Sequence, residues 1–95
     1  MNWLKTSLLA LTISAAAQGA AADCYADYKA KQDDPLRLHY GVAALRGECS
    51  LPSAERELST LLSREGWVLL TVLSVFGADQ LGEKRDDAGP YYLRF

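Results

Sequence analysis

The sequence of 95 residues contains few of the residue types that build metal centres and covalent active sites. It has one histidine and two cysteines. A structural zinc ion needs four Cys or His ligands, and the cysteines form no C-x-x-C pair, so neither a zinc site nor a redox pair is expected. A phosphate-binding loop, a nucleotide fingerprint and a serine elbow are also absent from the sequence. The sequence therefore predicts no cofactor and no enzymatic activity.

The sequence also lacks a large excess of positive or negative charge. Ten basic and 12 acidic residues give a net charge of −2. Binding to nucleic acid or to an anionic membrane surface depends on clustered positive charge, so neither is expected. The hydrophobic fraction of 49% is that of a globular protein. The length allows one domain at most, which excludes a multi-domain enzyme or a multi-span transporter.

Residues 1–22 have the three-part pattern of a secretory signal peptide. Lys5 makes the start basic, residues 6–17 are apolar and uncharged, and the segment ends in three alanines. Small residues suit signal peptidase, so we expect cleavage between Ala22 and Asp23. The apolar run of about 12 residues would span only ~18 Å as a helix, too little for a ~30 Å hydrocarbon core. The sequence therefore predicts a periplasmic or secreted protein without a stable membrane anchor.

Both cysteines, Cys24 and Cys49, remain after this cleavage. An oxidising compartment and an even number of thiols favour one disulfide between them. In the chain-entropy account, closing a loop of about 25 residues stabilises the fold by roughly 3.5 kcal/mol. A lipid-modified cysteine is not expected, because Asp23 rather than a small residue precedes Cys24.

The mature chain is predicted to open with a short helix over residues 23–34. Tyr25 and Tyr28 lie three residues apart and would share one helical face. The helix would stop before Pro35, because the residue before a proline avoids the helical region. The disulfide would tether this helix to the rest of the domain.

After this turn the apolar period changes to two, which predicts a strand over residues 36–45. A helical spacing of leucines then predicts a helix over 53–65, with Ser53 or Ser50 as its N-cap. Gly66 is expected to end the helix, because glycine readily takes the left-handed conformation.

Residues 67–76 are almost wholly apolar, so we expect a strand that is covered on both faces. A polar connection over 77–90, with a helical turn within it, and a short closing strand over 91–95 follow. The predicted fold is α+β, with a β-α-β-β domain over residues 36–95. It contains a three-stranded, mainly antiparallel sheet, one packed helix and the disulfide-tethered N-terminal helix.

The corner between the helix and the next strand resembles that of a family of small bacterial domains of unknown function. The helix ends in Glu65, Gly66 and Trp67, the following strand is VLLTVLSV, and the chain closes with YYLRF. The resemblance covers about residues 36–95 and implies the same β-α-β-β order. It implies no catalytic residue, since the family has no established activity. The cysteines, the leader and the long 77–90 connection depart from the family pattern.

Arg37, His39 and Trp67 are the candidate ligand-binding residues. His39 falls with Arg37 on the more polar side of the first strand, but no motif supplies the oriented partner that a general base needs. A tryptophan at a corner such as that of Trp67 usually packs in the core. The acidic pairs at 33–34 and 86–87 lack the calcium-loop pattern and are expected to be solvated.

The expected function follows from the number of sheet faces that must be covered. One helix covers one face, yet the strand over 67–76 is apolar on both. Either the N-terminal helix covers the second face or another protein does. Strict alternation places the candidate interface on one side of this strand, at Val68, Leu70, Val72 and Phe76. The leading hypothesis is a non-enzymatic periplasmic interaction module that binds a second copy of itself or an envelope protein.

The alternative hypothesis is a small-ligand-binding or accessory enzyme domain. Its pocket would lie between the sheet and the 77–90 connection and would use Arg37, His39 and Trp67. A secreted inhibitor or toxin-like peptide also fits the size and the disulfide, but no residue of the chain distinguishes it.

Overall fold

The computed structural model describes residues 23–95. The predicted leader over 1–22 and its cleavage after Ala22 lie outside the described residues. Among the residues that are described, no helix is both long enough and apolar enough to span a membrane.

Three strands and two α-helices make up the regular structure of residues 23–95. They are β1 (Tyr25–Gln32), β2 (Arg37–Ala44), α1 (Leu51–Ser63), β3 (Val68–Phe76) and α2 (Leu81–Ala88). The strands form one antiparallel sheet in the order β2-β1-β3. The predicted α+β class and three-stranded antiparallel sheet are therefore confirmed.

The predicted N-terminal helix over 23–34 is wrong, because this segment forms β1, the central strand. Every second residue from Ala26 to Ala30 is fully buried on one face, which is a period of two. Pairing with β2 on one edge and β3 on the other outweighs the weak helical preference of so short a segment. The turn predicted at Pro35 is confirmed as the connection between β1 and β2. The element order is therefore β-β-α-β-α, not β-α-β-β.

The predicted closing strand over 91–95 is also wrong. The C-terminal segment (residues 89–95) begins with a 3-10 turn that has Pro90 in its first positions, where a missing N–H is tolerated. Beyond this turn, the backbone N–H of Leu93 donates to the carbonyl oxygen of Val42 at 2.8 Å. The segment therefore crosses the outer edge of β2 with an isolated bridge and does not extend the sheet.

The two helices pack on opposite faces of the sheet, which we call the α1 face and the α2 face. The main core lies on the α1 face and is formed by Cys24, Ala26, Tyr28, Ala30, Ala43, Leu45, Ala54, Leu58, Leu62, Trp67 and Val72. A smaller core lies on the α2 face and is formed by Val42, Phe76 and Ala88. Because α2 has only 8 residues, about 12 Å of helix, it covers only part of its face.

Both ends of α1 are set by local hydrogen bonds. The Ser50 side chain accepts from the backbone N–H of Ser53 at 3.3 Å, so Ser50 is the N-cap. At the other end Gly66 has a φ of 82°, and the backbone N–H of Trp67 donates to Leu62 at 3.0 Å. This is the Schellman arrangement, which confirms the predicted role of Gly66. It turns the chain directly into β3 and places Trp67 over the core.

The predicted disulfide between Cys24 and Cys49 is present, with the two Cα atoms 5.9 Å apart. It joins the start of β1 to the loop that precedes α1. The backbone N–H of Leu45 donates to the carbonyl oxygen of Cys24 at 2.8 Å, so the same end of β1 is also bound to the chain leaving β2. Two independent links therefore fix the start of the central strand.

The close contact between Gly41 and Tyr28 gives a direct test of the sheet register. Gly41 lies opposite Tyr28, and a Cβ at this position would overlap the tyrosine ring. We expect Gly41→Ala to lower the free energy of unfolding by about 2 kcal/mol, because the filled core leaves the ring no room to move.

Gly82→Ala is the matched control, since nothing lies within 4 Å of a methyl group added at this position in α2. It should be neutral or stabilising by up to about 1 kcal/mol, because alanine favours a helix. Urea unfolding measures both changes. Equal effects of the two substitutions would contradict the register.

Candidate functional site

The α2 face of the sheet carries charged residues of β1 between apolar residues of its neighbours. Lys31 pairs with Leu38 of β2 on one side and with Val68 of β3 on the other. Directly paired residues of antiparallel strands share a face, so these three side chains form one row. Lys29 lies two residues earlier on β1 and belongs to the next row of the same face.

The row after Lys29 is centred on Asp27, which is 4% exposed. Its carboxylate accepts hydrogen bonds from the Ser74 hydroxyl at 2.6 Å, the Tyr40 hydroxyl at 2.9 Å and the Lys84 ammonium at 3.0 Å. Lys84 belongs to α2, and the other three residues belong to the three strands. The ion pair therefore holds α2 over this row, whereas Lys29 in the next row is exposed.

The electrostatics of this cluster keep Asp27 ionised. Burial alone raises the pKa of Asp27, but hydrogen bonds from Ser74, Lys84 and Tyr40 outweigh burial and hold the pKa below its ordinary value. Burial and the neighbouring carboxylate raise the pKa of Tyr40, which stays protonated and donates. All the polar groups of the cluster are thus satisfied by one another, and its role is to attach α2 to the sheet.

The candidate interface predicted on β3 does not lie on one face. The register between β1 and β3 slips twice, leaving Leu70 and Leu73 unpaired, and each bulge moves the following residues to the opposite face. Val68 and Leu70 are 52% and 50% exposed. Val72, in contrast, is buried in the core beneath α1, and Phe76 is buried in the core beneath α2.

The uncovered part of the α2 face is a patch of apolar side chains around two lysines. We call Lys29, Lys31, Leu38, Val68 and Leu70 the exposed patch. Leu38 is the most exposed of its apolar members, at 65%. A groove of about 300 Å³ crosses the patch and is lined by Lys29, Ala30, Leu38, His39, Tyr40 and Leu70. Its floor is the pairing of β1 with β2.

The side chain of His39 lies on the α1 face, enclosed by aromatic rings. The Tyr91 ring stacks on the imidazole with 3.7 Å between centroids, and Trp67 meets it edge-on at 4.3 Å. The Nε2 atom lies 2.9 Å from the Tyr28 hydroxyl, and the buried Nδ1 atom has no hydrogen-bond partner among residues 23–95. Through the stacking of Tyr91 on its ring, His39 holds the C-terminal segment against the sheet.

The surroundings of His39 keep its ring neutral. Burial, followed by the positive charge of Arg94, lowers its pKa from 6.5 to about 4. Burial also raises the pKa of Tyr28 above its ordinary value, so this hydroxyl stays protonated. A general base must reach a proton of its substrate, whereas Nε2 of His39 is occupied by Tyr28 and only 8% of the residue is exposed. The cluster serves to pack the C-terminal segment.

The three candidate ligand-binding residues do not converge. His39 and Trp67 are in contact, but both are buried in the α1-face cluster. Arg37 is exposed at the start of β2, and no side-chain hydrogen bond or ion pair within residues 23–95 involves it. The groove that the structure shows is instead that of the exposed patch, and of the three candidate residues only His39 is part of its lining.

The acidic pairs at 33–34 and 86–87 are exposed, as predicted. Asp33 lies 3.3 Å from the ammonium group of Lys31. In the part of the chain that the structure describes, no three His, Cys, Asp or Glu side chains come together as ligands for a metal ion.

Comparison with protein-family models, with curated proteins and with solved structures finds no match for this chain. The resemblance carried by Glu65, Gly66 and Trp67 therefore stays a prediction. The functional argument depends on the geometry of the exposed patch.

Sequence reasoning did not identify the two lysines of β1 or Leu38 as site residues. A period-two pattern is nevertheless present, since buried Ala26, Tyr28 and Ala30 alternate with charged Asp27 and Lys29. This pattern indicates a strand with one apolar and one charged face. The two lysines of β1 could have been identified from this pattern.

The neutral state of His39 predicts a specific titration. Because the pKa is about 4 in the folded protein and 6.5 in the unfolded chain, the unfolded chain binds the proton first as the pH falls. The contribution of neutral His39 to the free energy of unfolding is fully present above pH 6.5 and is lost as the pH falls from 6.5 to 4. It amounts to at most about 3 kcal/mol.

His39 is the only histidine, so its NMR signal is unambiguous. We expect the imidazole Cε1 proton to keep its neutral chemical shift down to about pH 5. The same resonance measured in urea should titrate near its ordinary midpoint. A folded-state midpoint at or above about pH 6 would contradict the enclosed site.

Proposed function

We propose that this protein is an exported, non-enzymatic module that binds another protein through the exposed patch. The observation that supports the proposal is the uncovered part of the α2 face, where Leu38, Val68 and Leu70 are each at least half exposed. A small domain with a filled core on one face has no structural need for such residues on the other.

The size of the patch fits the centre of a protein interface. Its three apolar residues are each at least half exposed on one face of the sheet, and the largest apolar patch on a typical monomer, ~300–600 Å², is often functional. The stems of Lys29 and Lys31 extend the apolar surface between them. A standard interface covers about 800 Å² on each partner and has an apolar centre with a polar rim.

The compartment is also part of the proposal. The disulfide between Cys24 and Cys49 is compatible with an oxidising space, and the pattern of residues 1–22 is that of a cleaved leader. We therefore place the partner in the periplasm or outside the cell.

A second copy of the chain fits the patch less well than a different protein does. A two-fold symmetric interface brings the same surface of both copies together. Here it would place the lysines of one copy against those of the other, and like charges that lose water on contact repel each other. A small-ligand site is also less well supported, because the groove is open to solvent and, of the three candidate residues, only the largely buried His39 is part of its lining.

Site-specific photocrosslinking in cells of the source organism tests the proposal. A photoreactive residue in place of Leu70 should crosslink to one discrete protein, because this position is at the centre of the patch. The same residue in place of Ser59, exposed on α1, is the control and should not crosslink to it.

A second substitution, Leu38→Ser, should lower the crosslink yield from position 70 by about tenfold, because both side chains line one groove. The folded state of each variant is checked by circular dichroism. Equal crosslinking from positions 59 and 70, or a yield unaffected by Leu38→Ser, would contradict docking through the patch.

A further inference from the structure

The position of Lys29 restricts what can bind to the exposed patch. Lys29 lies on the central strand, with Leu38 on β2 and Leu70 on β3 lining the same groove. Neighbouring strands are about 4.8 Å apart, so the two leucines lie roughly 10 Å apart across the sheet, on either side of the strand that carries the lysine. Leu38 is opposite Lys31, one row further along β1 than Lys29. A surface that contacts both leucines at once therefore also covers Lys29.

The charge of Lys29 is not neutralised within the domain. Lys31 has Asp33 at 3.3 Å and Lys84 has Asp27 at 3.0 Å, whereas no ion pair within residues 23–95 involves Lys29. An ammonium group that loses its water without gaining a counter-charge costs several kcal/mol. Binding of a purely apolar partner would be weakened by this desolvation of Lys29. A partner with a carboxylate beside the Lys29 ammonium would compensate for it.

We infer that the partner presents an acidic side chain between two apolar ones, with its carboxylate on Lys29 and the apolar side chains on Leu38 and Leu70. This inference rests on the proposed function, and it adds the chemistry of the partner. A charge-assisted hydrogen bond enclosed by apolar contacts would supply both the affinity and the register of the complex.

An anionic membrane surface is the other occupant that combines negative charge with apolar groups. The net charge of −2 opposes attraction to such a surface. Exposed Asp33 and Asp34 also lie at the end of β1 next to the patch. These charges favour a protein partner, whose carboxylate can be placed at one position.

The probe for the test is a random-peptide library displayed on phage, selected against the oxidised protein expressed from the full chain. Peptides that bind are expected to carry Asp or Glu between apolar residues. The Kd of these peptides should rise about tenfold or more for the Leu70→Ser and Lys29→Glu variants. When the selection is repeated on Lys29→Glu, the enriched peptides should instead carry a central Lys or Arg.

Arg56→Glu is the matched control, because it makes the same change of charge on the exposed side of α1. It should leave the Kd unchanged. The urea midpoint of every variant is measured, and since Lys29 and Leu70 are both exposed, a folded protein is expected in each case.

The outcomes separate the two claims. Binding that needs Leu70 but is unaffected by Lys29→Glu overturns the acidic partner and leaves docking through the patch in place. No enriched peptide, or enriched peptides whose binding does not depend on Leu70, overturns both. Binding to phosphatidylglycerol vesicles that is lost in Lys29→Glu, with no acidic preference among the peptides, overturns the inference in favour of a lipid surface.

Discussion

Both edges of β1 are hydrogen-bonded, and this double pairing decides what each face of the sheet presents. Because the strand is fixed by β2 on one side and β3 on the other, its side chains cannot exchange faces. Tyr28 and its neighbouring alanines must meet α1, and Asp27, Lys29 and Lys31 must lie on the opposite face. The fixed orientation of β1 therefore determines both which residues form the core and which form the exposed patch.

The boundary between the covered and uncovered parts of the α2 face lies between two successive side chains of β1 on that face. Asp27 binds Lys84 and holds α2 in place, whereas Lys29, two residues further, lies beyond the short helix. The C-terminal segment stacks Tyr91 on His39 on the other face and packs Tyr92 against the α2-face core, while Leu38 and Leu70 remain exposed. Within residues 23–95 the domain thus satisfies the Asp27 cluster internally and leaves an apolar surface on which Lys29 has no ion-pair partner, and this surface is the basis of the functional proposal.

Elements with strong local patterns were predictable from the sequence. The leucine spacing and Gly66 located α1, and the apolar run from 67 to 76 located β3. The central position of β1 was not predictable in this way, because it depends on pairing with distant segments, and the spacing of Tyr25 and Tyr28 suits a helix as well. The bulge at Leu70 has no local signature either. Strict alternation therefore placed Val72 and Phe76 with exposed residues although both are buried.

Solvent paramagnetic relaxation of the leucine methyl groups tests most directly whether the part of the α2 face around Leu38 and Leu70 is uncovered. A soluble gadolinium chelate should broaden the methyl signals of Leu38 and Leu70 strongly and leave those of Leu58 and Leu62 sharp, since the latter two are fully buried beneath α1. Protection of Leu38 and Leu70 equal to that of Leu58 would contradict the account. It would show that the patch is already covered, by another part of the chain or by a second copy.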